Sequence, residues 1–205
     1  CFITRGVDMT GLTKHAKTIN PRMVIATLHY LDGTRHPVRN KLIFLLSVKM
    51  GLRAKEIANL TWSMVLDAEG NFTDILTLDN AASKGKRGGR VIPLSQTIRD
   101  ALLPHYDAST RKDPQHRIIQ TERSDRVAPQ VIVNMFQKWF ADLGYEGCSS
   151  HSGRRTFITN ASKKITSVGG SLRDIQYLAG HSSLQTTQSY IEGDSRAREK
   201  VVELV

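Results

Sequence analysis

The sequence predicts a mainly α-helical domain with one small antiparallel β-sheet, an α+β fold. Two observations predict it. Apolar residues recur at helical spacing between recognisable start and stop signals along most of the 205-residue chain. Two short β-prone runs, 72–78 and 89–94, flank a basic, glycine-rich turn and read as a single hairpin.

Taken in order, residues 1–19 show no strong periodicity and read as a linker or arm, or else as an ordered strand or turn packed on the domain. The domain itself is expected over 21–205, with 1–20 as the arm. Asn20-Pro21 pairs an N-cap with proline at the first helical position, and Val24, Leu28 and Leu31 mark a helix ending near Asp32-Gly33. Residues 38–50 form a second helix, apolar nearly all round from Leu42 to Val48 and therefore buried, which stops at Gly51. A short third helix opens at Arg53. Its Lys55–Trp62 segment also has the flavour of a helix-turn-helix, a weak pattern. After the hairpin, a helix runs from Ser95 to about Leu103, and 104–128 reads mostly as loop. Residues 130–143 form a helix with Ile132, Phe136, Trp139, Phe140 and Leu143 on its core face, ended by Gly144. Ser171 with Asp174 makes a capping box for a helix through Ala179, and Gly180 is its C-cap. A Ser/Thr-rich helical stretch leads to Tyr190, and Ala197, Val201 and Leu204 keep helical spacing in the tail.

Composition narrows the function. The net charge is +10 and the pI about 9.9, which favours a polyanion partner, nucleic acid ahead of an anionic membrane surface. The 2 cysteines, Cys1 and Cys148, have neither metal-ligand nor disulfide-framework spacing, as expected in a reducing cytoplasm. No apolar run reaches membrane-spanning length and nothing resembles a signal peptide. The chain starts with Cys rather than Met, as a fragment of a longer protein would.

The chemistry-bearing residues are Arg53, Lys84 in the basic turn, His151 with Arg154 at i and i+3, His181 just past a helix end, and Tyr190. Such a set suits a phosphate and needs neither metal nor cofactor. Two guanidiniums grip phosphate oxygens in bidentate fashion and offset the charge of an in-line transfer. A tyrosine phenol, with an ordinary pKa of about 10, attacks only beside positive charge and a proton acceptor. A lysine ammonium can protonate a leaving oxygen.

The stretches Gly51-Leu-Arg53-Ala-Lys-Glu56-Ile, Ser83-Lys84-Gly with Val91-Ile-Pro-Leu94, His151-x-x-Arg154, Leu178-Ala-Gly-His181 and Thr186-Thr-Gln-Ser-Tyr190 resemble the catalytic domain of the tyrosine recombinases, the phage-integrase family. Each motif is weak alone; their order and spacing together are specific. The resemblance implies a mostly helical fold with a small antiparallel sheet and a site-specific recombinase or integrase working through a 3′-phosphotyrosyl intermediate without metal or ATP. It implies that Arg53 and Arg154 clamp the scissile phosphate and that His151 and His181 hydrogen-bond it, with His151 the candidate acceptor of the tyrosine proton. Lys84 would protonate the departing 5′-oxygen, Tyr190 would attack, and Glu56 would brace the site. Lys86, Arg87, Arg90 and Arg155 are expected DNA contacts.

The partner implied is double-stranded DNA, bound by a homotetramer on paired sites from a monomer in solution, with no membrane association. The sequence departs from the family pattern where Arg155 stands for a frequent histidine and where Ser152-Gly153 replaces bulkier residues. A longer hairpin tip lets Lys86 compete with Lys84. Most family members carry a separate N-terminal DNA-clamping domain; only residues 1–20 precede the catalytic part here, so the expectation is that this domain was cut away or that the chain is a short member. The alternatives are a DNA-binding relative that has lost activity and a type IB topoisomerase-like enzyme.

Overall fold

The computed structural model describes residues 16–80, 82, 89–121, 124–191 and 202. The order of its elements is α1 (Pro21–Asp32), α2 (Pro37–Met50), α3 (Ala54–Asn59), β1 (Ile75–Leu78), β2 (Arg90–Pro93), α4 (Gln96–Asp107), α5 (Pro129–Asp142), α6 (Ser152–Lys164), α7 (Leu172–Ala179) and α8 (Leu184–Gln188). Single 3-10 turns, Trp62–Met64 and Ile165–Val168, follow α3 and α6.

The buried helix expected at 38–50 is the centre of the molecule. Leu42, Ile43, Phe44, Leu45, Leu46, Val48 and Met50 of α2 are all buried, and α1, α4 and α6 pack around it. Transfer of this apolar surface from water is the main force holding the domain together. α2 ends at Gly51, whose φ of +66° is the left-handed C-cap conformation. A Cβ there would also lie 2.5 Å from the Phe157 ring, so glycine is required twice over. The α5 face is as expected, with Ile132, Phe136, Trp139 and Phe140 buried. A separate, smaller cluster of Ile158, Ile175 and Ala179, with Tyr190 packed against it, ties α6 to α7 and the segment after α8.

The N-terminal signals hold in detail. The Asn20 side chain accepts from the Met23 amide at 3.0 Å, and Pro21 follows it. The described end of the arm is packed: the Lys17 amide donates to the Gly147 carbonyl at 3.0 Å and the Ile19 amide to Thr156 Oγ1 at 2.8 Å. Ile19 is buried.

The hairpin pairs Ile75 with Pro93 through Leu78 with Arg90 in antiparallel register. Its inner face carries Leu76, Leu78, Arg90 and Ile92. Two expectations are corrected. No helix-turn-helix forms, because no second α-helix lies between α3 and β1, where residues 60–74 hold the 3-10 turn Trp62–Met64 and isolated bridges at Thr61, Leu66 and Phe72. And α4 runs through Pro104 to Asp107 rather than stopping near Leu103. Proline removes one helical hydrogen bond. Tertiary contacts hold the last turn nonetheless: His105 Nε2 bonds the Ile118 carbonyl at 2.7 Å, and the Tyr106 ring meets Trp62 and Phe72 edge-on. The tail stripe at Ala197, Val201 and Leu204 lies outside the described residues.

Candidate active site

Three arginines converge on one helix end. The last carbonyls of an α-helix have no partner within the helix and carry the negative end of its dipole. At the C-terminus of α7, three successive carbonyls each accept from a different arginine. Leu178 accepts from Arg90 Nε at 2.9 Å, Ala179 from Arg154 Nη2 at 2.6 Å and Gly180 from Arg53 Nη2 at 3.3 Å. The capping box foretold for this helix starts it, with the Ser171 amide donating to Asp174 at 2.7 Å. Gly180 ends it at φ +61°.

Arg53 occupies the N-cap of α3 directly after the Gly51 turn. Its amide donates to Glu56 Oε2 at 2.8 Å and its Nη1 to Glu56 Oε1 at 3.0 Å. Its side chain remains 26% exposed, so the guanidinium both is anchored and faces outward. Arg154, in the first turn of α6, is almost wholly buried. Its Nη1 donates to the Gly51 carbonyl at 2.6 Å, which links it to the C-cap of α2. Burial, and then the neighbouring Arg53 charge, push its pKa down to about 10, which leaves it charged at neutral pH.

His151 occupies the N-cap position of α6 rather than its interior, one turn before Arg154 and exposed. Burial of part of the ring, followed by the Arg154 and Arg53 charges, lowers its pKa. Lowering keeps the imidazole neutral at pH 7, so it can accept a proton. His181 is buried just past Gly180. Its Nδ1 lies 3.0 Å from Thr187 Oγ1, itself fully buried. Desolvation first, then Arg154, Arg53 and Arg90, push its pKa down to about 4.

Tyr190 follows α8 directly. Its ring stacks on His181 at a centroid distance of 5.3 Å and an interplanar angle of 26°. The Arg155 guanidinium carbon lies 5.7 Å from the same ring. The Tyr190 carbonyl accepts from Thr159 Oγ1 at 3.1 Å, which ties the segment to α6. An open concavity of about 580 Å³ lies beside it, lined by Cys148, Ser149, His151, Arg155, Ser189 and Tyr190 among others.

The expected set is therefore gathered as follows. Arg53, Glu56, Arg154, His181 and Tyr190 lie in one connected network with His151 at its edge. Lys84, Lys86 and Arg87 lie outside the described residues. Arg90 is a correction. Instead of reaching out to DNA, its side chain is 2% exposed, and it donates to Glu56 Oε1 at 2.9 Å and Oε2 at 3.3 Å. Strand alternation is the reason: Arg90 shares its phase with Ile92 and Leu94 and points inward with them. Thr187, which holds His181, was missed in the sequence, where it is one of several Ser and Thr residues before Tyr190. Gly153 was noted only as a departure; its role is to let α6 approach Ser47 of α2.

Known proteins resemble this chain in sequence and in fold. The model of the phage integrase family matches residues 17–196. A tyrosine recombinase XerA from Pyrococcus horikoshii is 29% identical over 169 residues, covering 81% of this chain and 54% of the relative. Another from Thermococcus onnurineus is 31% identical over 169 residues, covering 79% of this chain and 55% of the relative. The chain thus spans about half the length of these curated relatives. Among solved structures, the crystal structure of XerA recombinase superposes with a TM-score of 0.70 at 20% identity, over 93% of this chain and 65% of that one. The Tn1549 transposon integrase in complex with a circular intermediate DNA superposes with a TM-score of 0.76 at 16% identity, over 97% of this chain and 68% of that one.

Proposed function

The chain belongs to the phage integrase family, and from that premise we propose that it is a site-specific DNA strand transferase in which Tyr190 attacks the scissile phosphate. The observation that carries this reading is the convergence of Arg53 and Arg154 on the α7 C-terminus, with His181 and Tyr190 stacked beside it.

The Tyr190 Oη–phosphorus bond forms as the bond from phosphorus to the 5′-oxygen breaks, leaving a 3′-phosphotyrosyl link. The tyrosine proton passes to neutral His151, and the leaving 5′-oxygen takes one from Lys84, a role assigned from the sequence alone. Arg53 and Arg154 hold the non-bridging oxygens and stabilise the charge that builds there. Both are anchored through bonds to backbone carbonyls, so little reorganisation is needed when that charge develops. Neutral His181 donates from Nε2 to the phosphate when Thr187 donates to its Nδ1. The link conserves the bond energy, so a 5′-hydroxyl can reverse the step without ATP.

Double-stranded DNA is the substrate in this reading. It is bound as a tetramer on paired sites from a monomer in solution, in the cytoplasm, and solved relatives of the same fold are seen in complex with DNA. The test is incubation with nicked suicide DNA in EDTA and denaturing electrophoresis. A protein–DNA adduct that disappears in Tyr190→Phe is expected. An adduct of equal yield in Tyr190→Phe refutes the assignment.

A further inference from the structure

Arg90 is the buried charge for which the strand-transfer chemistry has no direct use. Its side chain is buried and, among the described residues, it bonds twice to Glu56 and once to the Leu178 carbonyl in the centre of the site. Glu56 in turn holds both the amide and the guanidinium of Arg53. Resting on the strand-transferase reading above, we propose that Arg90 is a positioning residue for DNA cleavage, acting through Glu56 and the α7 C-terminus to fix Arg53 and His181 in place.

Glu56 is fully buried, and a buried carboxylate must be paired. Its two oxygens are shared between one outward-facing and one inward-facing guanidinium, so Arg90 keeps Glu56 charged while Arg53 turns to the substrate. Gly180 is shaped to receive Arg90, since a Cβ there would lie 2.7 Å from Nη1. Arg90 also binds the carbonyl three residues before His181, so β2 and α7 are clamped together beside the site. A second bond across that seam runs from the Val91 amide to Tyr177 Oη at 3.2 Å. Among the described residues, the charged and titratable groups facing Glu56 include Arg53 from α3, Arg90 from β2, Arg154 from α6 and His181 after α7. Burial raises the Glu56 pKa, but the Arg90 hydrogen bond and charge, with Arg53, outweigh burial and hold it below the ordinary value.

Arg90→Gln removes the charge while keeping comparable length. Single-turnover adduct formation should slow by roughly 10–100-fold at neutral pH, the range lost with a charged hydrogen bond. It should acquire an acid limb of about tenfold per pH unit, because Glu56 now protonates within the assay range. Carbon-13 titration of the Glu56 carboxyl in the free protein should show its midpoint raised, and Glu56→Gln in the same background should remove the limb. Arg90→Lys keeps the charge but offers one nitrogen where arginine uses Nε, Nη1 and Nη2. It should leave Glu56 ionised and still slow cleavage about threefold or more, which decides the matter if the Gln variant does not fold. Rates equal to wild type in both variants overturn the proposal. So does a loss that is the same at every pH with the Glu56 midpoint unmoved. A wild-type protein that forms no adduct defeats the strand-transferase reading itself, an outcome separate from these.

Discussion

Gly153→Ala sets two physical effects against each other, and the structure decides the sign. Alanine is a better helix former than glycine by up to about 1 kcal/mol, and less so in the first turn, where Gly153 sits. Propensity alone therefore predicts stabilisation. But a Cβ on Gly153 would lie 2.3 Å from Ser47 Oγ, 3.0 Å from Ser47 Cβ and 3.1 Å from the Ser47 backbone carbon. The hydroxyl can rotate; the Cβ and backbone of the central helix cannot. Overpacking of this kind costs about 1–3 kcal/mol. The expected net is a loss of about 1–2 kcal/mol, or several degrees in Tm for a domain of this size. Urea unfolding of wild type and variant measures it. Ser47→Ala supplies the control. It removes a buried hydroxyl that has no hydrogen-bond partner among the described residues, so alone it should cost little. In the Gly153→Ala background it should recover about 0.5 kcal/mol or more of the loss. A Gly153→Ala protein as stable as wild type, or more so, refutes the reasoning that close approach of α6 to α2 sets the position of Arg154.

Three further outcomes follow from the site. His181 has its pKa pushed from 6.5 down to about 4, so between those values the unfolded chain binds more protons than the folded one. Stability should therefore fall as pH drops from about 6.5 towards 4, and His181→Asn should flatten that limb in thermal melts, leaving the smaller contributions of His105 and His151. Thr187→Val, which removes the hydroxyl 3.0 Å from His181 Nδ1, should slow cleavage roughly 3–10-fold while Thr187→Ser retains activity, as read by single-turnover adduct kinetics. Gly180→Ala forces a Cβ into a φ of +61° and against Arg90, and should lower both Tm and adduct yield, whereas Gly169→Ala, with φ +76° but open space around it, should cost stability alone.

Much of the frame was legible because its causes are local. The all-round apolar run from Leu42 to Val48 marked α2 as the central helix, and the Asn20 cap, the Ser171–Asp174 box and the Gly51 and Gly180 stops act within a turn or two of chain. Arg53 was rightly placed at a rigid helix start. What escaped was long-range. Arg90 meets Leu178 and Arg53 meets Gly180 across 88 and 127 positions of sequence. The convergence of three arginines on three neighbouring carbonyls has no local signature. A signal for Arg90 was present, in the shared phase of Arg90, Ile92 and Leu94, but the basic turn beside it drew it into the solvent-facing reading. The last turn of α4 escaped because packing of His105 and Tyr106 overrides the proline. Thr187 escaped because nothing in a run of Ser and Thr distinguishes the one that turns inward.

Peptide mapping of the protein–DNA adduct, after nuclease digestion and by mass spectrometry, tests the assignment of the nucleophile most directly. The arrangement of Tyr190 against His181, beside the arginines gathered at the α7 C-terminus, predicts nucleotide on Tyr190. Nucleotide on another residue, such as the exposed Tyr177, would contradict it.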